Sequence, residues 1–173
     1  TSFYQVNSAQ AAQLVNIVMG ALDLHGHETV LDAYCGVGLF TKFIAEEAGY
    51  VLGIEANPPA VADAQHNLEG MDNTDVLEGP VEAILPELEI SFDAVVVDPP
   101  RTGLERHALD ALAEHVPERI VYVSCDPATL ARDCRRLVRQ GYDLQWVQPV
   151  DLFPQTYHIE NVAFLTRAGT AQI

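Results

Sequence analysis

Short apolar runs alternate with amphipathic segments along most of the chain. Runs such as Ala94–Val97, in which every residue is apolar, are typical of strands buried on both faces of a sheet. Between these runs, apolar residues recur every three or four positions, as in helices with one buried face. The pattern predicts helices over 8–22, 38–48, 58–68, 81–88, 105–115 and 129–140. It predicts strands over 29–34, 50–55, 75–77, 92–98, 119–124, 142–150 and 161–167.

The regular alternation of strands and helices predicts the fold class. Parallel strands need a long crossover, usually a helix, so the order indicates an α/β fold with a Rossmann-like, seven-stranded, mostly parallel sheet. No helix is predicted between the last two strands, and we therefore expect an antiparallel edge. In such sheets, ligands bind at the carboxyl ends of the strands, where the strand order reverses.

Composition and charge bound the possible functions. The chain has 173 residues, of which 49% are hydrophobic, and this suits one globular domain. It has no apolar run near the roughly 20 residues that span a membrane, and its three cysteines include no CxxC pair, so we expect a cytoplasmic protein without a metal site. The net charge of −16, from nine basic and 25 acidic residues, argues against tight nucleic-acid binding by this domain alone.

A glycine-containing turn follows the first predicted strand, in the stretch Asp32-Ala33-Tyr34-Cys35-Gly36-Val37-Gly38. Gly36 and Gly38 allow the backbone to approach a ligand, although a packing turn would also use them. Thr41 stands where a dinucleotide fingerprint has its third glycine, and Glu55 closes the second strand, where an acid commonly accepts the ribose hydroxyls. An acid before the turn favours a cationic ligand over a pyrophosphate. This pattern is typical of S-adenosylmethionine-dependent methyltransferases, with NAD as the alternative.

A cysteine marks the end of the fifth strand. Asp126 and Pro127 have the form of an N-cap and a first helical residue, which places Cys125 at a strand-to-helix turn. The positive end of the helix dipole favours the thiolate, the nucleophilic form of cysteine, whereas a small apolar residue filling a strand end is the plainer interpretation. Cys35 is the rival nucleophile, but its place in the glycine turn puts it against a cofactor.

Five motifs follow one another along nearly the whole chain. They are Phe3-Tyr4-Gln5-Val6-Asn7, Asp32-Ala33-Tyr34-Cys35-Gly36-Val37-Gly38, Asp98-Pro99-Pro100-Arg101-Thr102-Gly103, Val123-Ser124-Cys125-Asp126-Pro127-Ala128-Thr129-Leu130-Ala131-Arg132-Asp133 and Asp151-Leu152-Phe153-Pro154-Gln155-Thr156-Tyr157-His158-Ile159-Glu160. In this order they resemble the motif series of the RNA 5-methyluridine methyltransferases. The resemblance implies S-adenosyl-L-methionine as cofactor and transfer of a methyl group to carbon 5 of a uridine in tRNA or rRNA.

The resemblance also implies the site residues. Cys125 would be the nucleophile and Glu160 the base. The residues assigned to the cofactor pocket are Gln5, Tyr34, Gly36, Leu39 and Glu55, with Asp98 between cofactor and target. Leu39 stands where some relatives carry an amide, so only a backbone contact is carried over. Asp126 replaces a common asparagine, and its negative charge would oppose thiolate formation.

Uracil chemistry explains why both catalytic groups are needed. Carbon 5 is a poor nucleophile until a thiolate adds at carbon 6 and turns the ring into an enolate. After methylation, a carboxylate can remove the proton on carbon 5 so that the thiol is eliminated. A cytosine-C5 methyltransferase and an inactive S-adenosylmethionine-binding domain are the alternatives.

Domain organisation follows from the same resemblance. Family members carry an N-terminal RNA-binding barrel, so we expect 1–173 to be the catalytic domain of a larger, monomeric protein that grips its RNA mainly through another domain. A naturally short protein is the alternative.

Overall fold

The structure is a computed structural model that describes residues 8–151 and 160–169, with side chains from residue 11 onward. Its helices are α1 (Ser8–Leu22), α2 (Leu39–Glu47), α3 (Pro58–Asn67), α4 (Val81–Ile84), α5 (Arg106–Glu114) and α6 (Pro127–Arg139). Its strands are β1 (Thr29–Ala33), β2 (Tyr50–Glu55), β3 (Thr74–Glu78), β4 (Ala94–Val97), β5 (Arg119–Ser124), β6 (Tyr142–Val150) and β7 (Glu160–Arg167).

All seven strands form one sheet in the order β3-β2-β1-β4-β5-β7-β6. The first five strands pair in parallel, whereas β7 is antiparallel to both β5 and β6. The predicted fold class and antiparallel edge are therefore confirmed. Strand order reverses between β1 and β4, so the carboxyl ends of these two strands and of β5 border the cleft in which ligands of such sheets bind.

Helices cover both faces of the sheet and divide the core into two apolar clusters. One cluster packs α4, α5 and α6 against the sheet, and its largest fully buried side chains include Tyr122 and Tyr142. The other packs α1 and α2 against the opposite face, around residues such as Leu22 and Ile44. Strand β4 is buried on both faces, as its uninterrupted apolar run predicted.

One predicted helix is shorter than expected. The segment 81–88 forms α4 over Val81–Ile84 and then a single 3₁₀ turn over Leu85–Glu87. Pro86 lies in that turn, and because proline has no backbone N–H, it cannot continue the α-helical hydrogen-bond pattern. Within the described ranges, no helix is long and apolar enough to cross a membrane.

Candidate functional site

Cys125 lies in the turn between β5 and α6, where it is half-buried. The Asp126 carboxylate caps α6, accepting hydrogen bonds from the backbone N–H groups of Ala128 and Thr129 at 2.9 and 3.0 Å. The Ser124 hydroxyl accepts the N–H of Asp126 at 3.1 Å and donates to the carbonyl of Asp126 at 3.0 Å. Residues on both sides of Cys125 are thus hydrogen-bonded, which fixes the backbone that carries the thiol.

The capping interaction keeps Asp126 charged. The backbone N–H groups of Thr129 and Ala128 and the nearby charge of Arg101 lower the pKa of this carboxyl. At neutral pH, Asp126 is therefore an anion at the N-terminus of α6, where the helix dipole stabilises negative charge. The predicted cap is confirmed.

The strand register brings Cys125 and Glu160 together. In the antiparallel ladder between β5 and β7, Ser124 pairs with Asn161. The ladder ends at this pair, and the next residues are Cys125, in the turn after β5, and Glu160, the first residue of β7, so both lie at the same end of the two strands. Directly opposed residues in antiparallel strands lie about 5 Å apart at their Cα atoms. Two motifs separated by more than 30 residues of sequence therefore meet at one edge of the cleft.

Asp98 follows β4 and lies between these two residues and the glycine turn. Its backbone N–H donates to the carbonyl of Ala33 at 3.2 Å, which ties the end of β4 to the end of β1. Burial among surrounding protein atoms raises the pKa of Asp98, and the charges of Glu160 and Asp32 raise it further. The residue is nevertheless exposed to solvent.

The glycine turn uses the left-handed region of backbone conformation at three positions. Tyr34, Gly36 and Gly38 have φ angles of 64°, 55° and 82°, in the left-handed region. The N–H of Gly36 donates to Oε2 of Glu55 at 3.0 Å, and the other oxygen of Glu55 accepts the N–H of Asn57 at 2.8 Å. Glu55 thus holds the turn in place from the end of β2. A Cβ added at Gly36 would meet nothing within 4 Å, so the turn faces open space.

Asp32 lies beneath this turn with one carboxylate oxygen unsatisfied. Its Oδ2 accepts the hydroxyl of Thr41 at 2.6 Å, while its buried Oδ1 has no hydrogen-bond partner. Burial raises the pKa of Asp32 to about 7, against the opposing hydrogen bonds of Thr41, and the charge of Glu55 raises it further. Asp32, Glu55, Asp98 and Glu160 thus form a group of mutually repelling carboxyls around the cleft. A cationic ligand would relieve this repulsion, which fits a sulfonium or an ammonium group.

Cys35 is buried away from the cleft. A Cβ added at Gly53 of β2 would lie 2.9 Å from the sulfur of Cys35, so the thiol packs against the sheet. Glycine at 53 leaves the space that the thiol fills, and the expectation that Cys35 lies against a cofactor stays a prediction. Burial, followed by the charges of Asp32 and Glu55, raises the pKa of this thiol. Both effects disfavour the thiolate, so Cys35 is a poor nucleophile.

A buried aspartate connects the loop after β4 to α6. Asp133 is fully buried, and its Oδ2 accepts the backbone N–H of Leu104 at 2.9 Å and the hydroxyl of Tyr122 at 2.8 Å. Its Oδ1 accepts Nε of Arg132 at 2.9 Å, and Nη2 of Arg132 donates to the carbonyl of Thr102 at 2.8 Å.

This connection bears on the site because the loop that begins Asp98-Pro99-Pro100 is held to the helix that begins behind Cys125. The hydroxyl of Thr129 adds a hydrogen bond of 3.1 Å to the carbonyl of Arg101. We refer to Asp133 and its partners Leu104, Tyr122 and Arg132 as the loop anchor. Sequence analysis did not single out Asp133. The signal was its place on the buried stripe of α6, together with Leu130, Cys134 and Leu137.

Of the remaining predicted site residues, some lie within the described part of the chain and some outside it. Tyr34 lies half-buried in the glycine turn, and Leu39, which begins α2, is 38% exposed. Gln5 lies outside the described residues, as do residues 152–159 of the last motif. Within the described ranges, no cluster of three or more His, Cys, Asp or Glu side chains could hold a metal ion.

Comparison with protein families identifies two matches. Residues 85–168 match the family described as tRNA (uracil-5-)-methyltransferase, and residues 30–116 match a methyltransferase domain family. A relative from Gloeobacter violaceus, named an uncharacterized RNA methyltransferase, is 48% identical over 170 residues. The match covers 97% of this chain and 37% of that relative. A relative of the same description from Clostridium tetani is 47% identical over 173 residues, covering 97% of this chain and 38% of that protein.

Two solved structures that resemble this chain are also methyltransferases. The tRNA (uracil-54, C5)-methyltransferase of Pyrococcus abyssi, solved in complex with S-adenosyl-L-homocysteine, superposes with a TM-score of 0.79 at 36% identity. The superposition covers 96% of this chain and 40% of that one. Magnesium protoporphyrin IX methyltransferase from Synechocystis, at 17% identity and a TM-score of 0.73 over 96% of this chain and 87% of its own, shares the fold. The chain spans less than two fifths of the length of these curated relatives.

Proposed function

Because the chain belongs to the RNA (uracil-C5) methyltransferase family, we propose that it methylates carbon 5 of a uridine in RNA, with S-adenosyl-L-methionine as the methyl donor. The observation that supports this proposal is the pairing of Ser124 with Asn161, which leaves Cys125 and Glu160 as the next residues at the same end of β5 and β7, near the glycine turn and its carboxyls. A thiol and a carboxylate near each other are the two groups that substitution at carbon 5 of uracil requires.

In the proposed reaction, the Cys125 thiolate adds to carbon 6 of the uracil, and the electrons of the 5,6 double bond move into the ring as an enolate. S-adenosyl-L-methionine, when bound, would supply the electrophilic methyl group that carbon 5 takes up. The Glu160 carboxylate then removes the proton from carbon 5. The double bond re-forms as the bond between sulfur and carbon 6 breaks, which regenerates the thiolate. The target base must leave its helix to reach Cys125, as with other enzymes that modify a base.

The cofactor would lie along the carboxyl ends of β1 and β2. Glu55 already accepts two backbone N–H groups, and its remaining lone pairs suit ribose hydroxyls. The carboxylates of Asp32 and Asp98 suit the positive charges of the methionine part, which is consistent with the raised pKa of both groups without a ligand. We assign Tyr34, Gly36, Leu39 and Gln5 to the same pocket. A cytoplasmic location belongs to this proposal, because free thiols such as Cys125 suit a reducing compartment.

Trapping with 5-fluorouridine RNA tests the catalytic pair. Fluorine at carbon 5 cannot be removed as a proton is, so we expect the whole protein with S-adenosyl-L-methionine to form a covalent adduct that survives denaturing electrophoresis. Cys125→Ser should form none, whereas Glu160→Gln should accumulate an adduct with ordinary uridine RNA. An adduct that persists in Cys125→Ser would contradict the proposal.

Two further measurements separate the alternatives. Nucleoside analysis of the product should show 5-methyluridine, and 5-methylcytidine would indicate the cytosine enzyme instead. Calorimetry with S-adenosyl-L-homocysteine should show binding to wild type, and binding without turnover on any RNA would indicate an inactive domain. No binding at millimolar ligand would contradict the pocket assignment.

A further inference from the structure

The outward face of α6 carries an uninterrupted set of positive charges. Its arginines are Arg132, Arg135, Arg136 and Arg139, which account for four of the nine basic residues of the chain. At 100° per residue, these four positions fall within one 100° sector of the helix, opposite the buried stripe of Leu130, Cys134 and Leu137. The one acid within α6, Asp133, is fully buried on the inner side.

This face contrasts with the rest of the chain. Helix α6 has a net charge of +3, from four arginines and one aspartate. Because the whole chain has a net charge of −16, the residues outside α6 have a net charge of −19. Among the helices of the described ranges, α1 has no charged residue, and α2, α3, α4 and α5 are each net negative by one. A phosphate approaching this domain would be repelled by most of its surface and attracted by this helix.

The four arginines differ in their ion pairs. Arg132 and Arg136 form ion pairs with Asp133, at 2.9 and 3.7 Å, and so belong to the loop anchor or lie beside it. Arg135 and Arg139 are exposed, one helical turn apart, and make no ion pair within 8–151 and 160–169. Their charges are therefore available to an external partner.

The position of the two arginines relates them to the nucleophile. Helix α6 begins at Pro127, two residues after Cys125. With a rise of about 1.5 Å per residue, Arg135 and Arg139 lie about 12 and 18 Å along the axis from Pro127. Because α6 runs from the carboxyl end of β5 back along the face of the sheet, RNA that extends from Cys125 along this face would bring its backbone within reach of these side chains. Arginine suits this role because its planar guanidinium matches phosphate geometry.

We propose that Arg135 and Arg139 of α6 bind the phosphate backbone of the substrate RNA a few nucleotides from the target base. This inference rests on the proposed function for the identity of the substrate. It modifies the expectation that the RNA is gripped mainly by another domain, because the catalytic domain would itself hold the backbone a few nucleotides from the reaction. An acidic surface of another domain is the competing partner, and the test below separates the two.

RNA binding at several salt concentrations tests this proposal. The assay uses the full-length protein and an unmodified tRNA transcript as the probe. Arg135→Gln/Arg139→Gln should lower the steepness of the log affinity against log salt plot by about 1.4 to 1.8, since each lost phosphate contact removes about 0.7 to 0.9. In 0.1 M salt, this corresponds to an affinity about 25-fold or more lower. The KM for RNA should rise accordingly, while the affinity for S-adenosyl-L-homocysteine stays unchanged.

A matched control removes the same charge elsewhere. Lys42→Gln/Arg106→Gln deletes two exposed basic side chains of α2 and α5, of which Arg106 pairs with Asp110 at 3.6 Å, and should leave the salt dependence close to wild type. Equal salt dependence in the two double variants would overturn the proposal. A lower thermal stability of Arg135→Gln/Arg139→Gln with an unchanged salt dependence would also overturn it, in favour of a contact with an acidic domain. Failure of the proposed function is seen separately, because wild type would then form no 5-methyluridine while its RNA binding can still be compared with the variants.

Discussion

Replacing Gly103 by alanine tests how tightly the loop anchor is packed. Gly103 has a φ of +74°, and a Cβ built on its backbone would lie 2.5 Å from Oδ2 of Asp133 and 2.6 Å from Nη2 of Arg132. Both atoms are ends of side chains, but neither can move without losing hydrogen bonds. Oδ2 of Asp133 accepts from Leu104 and Tyr122, and Nη2 of Arg132 donates to Thr102.

The expected cost has two parts. An alanine in the left-handed region costs about 1–2 kcal/mol. Displacing the Asp133 carboxylate weakens hydrogen bonds to a charged group, each worth about 1.5–3 kcal/mol. Since some of these bonds re-form at longer distance, we expect Gly103→Ala to lower the free energy of unfolding by about 3–5 kcal/mol.

Gly141→Ala is the matched control, because Gly141 has a φ of +96° and a Cβ there would meet nothing within 4 Å. It should cost only the backbone part, about 1–2 kcal/mol. Urea unfolding of the two variants, followed by circular dichroism, measures the difference. Equal losses would refute the view that the anchor is tightly packed. The double variant Gly103→Ala/Tyr122→Phe should lose less than the sum of its single variants, since both act on one carboxylate.

Three further variants probe single carboxyls. Glu28 is covered by its own turn, and although burial opposes the effect, hydrogen bonds from the backbone N–H groups of His25, Glu28 and His27 lower its pKa to about 2. Its stabilisation is therefore complete above about pH 4.5 and lost as pH falls towards 2. Glu28→Gln should lower the free energy of unfolding by about 1–2 kcal/mol at pH 6, a value reduced for solvent screening near the surface. It should also weaken the dependence of this free energy on pH between about pH 4.5 and 2. Burial raises the pKa of Asp32 to about 7. Ionisation of this carboxyl in the folded state is therefore unfavourable, and its contribution lowers the free energy of unfolding as pH rises from about 4 through 7. Asp32→Asn should therefore raise the melting temperature more at pH 8 than at pH 5 while weakening binding of S-adenosyl-L-homocysteine, and no gain at pH 8 would contradict this. Glu160→Gln should lower kcat at least 100-fold in a methyl-transfer assay, the usual minimum for a lost general base, and a smaller loss would argue against that role.

Much of the fold could be predicted from the sequence because its signals are local. Uninterrupted apolar runs marked the buried strands, and the Asp126-Pro127 pair marked the start of α6, where the carboxylate does cap two N–H groups. The missing helix between the last strands predicted the antiparallel edge. The shortened segment after Val81 also had a local signal in Pro86, which the helical periodicity outweighed.

The loop anchor could not be predicted in the same way. Asp133 lies on the buried stripe of α6, but an aspartate is seldom fully buried, and its partners Tyr122 and Leu104 lie outside this helix. Only the three-dimensional packing of β5, α6 and the loop after β4 brings these groups together. The direction of the Cys35 thiol depends on the space at Gly53, a position that sequence spacing does not relate to it. The interactions between distant segments were therefore the part of the site that the local sequence did not predict.

The ladder between β5 and β7 has a consequence for how such proteins can diverge. Glu160 pairs with Val150 in the ladder between β6 and β7, and its neighbour Asn161 pairs with Ser124, the residue before Cys125, in the ladder between β5 and β7. Its position is thus set by backbone pairing with two neighbouring strands rather than by the length of the connection that precedes it. Relatives that differ in length between residues 151 and 160 can then keep Glu160 at the same place in the sheet, next to the residue that pairs with Ser124.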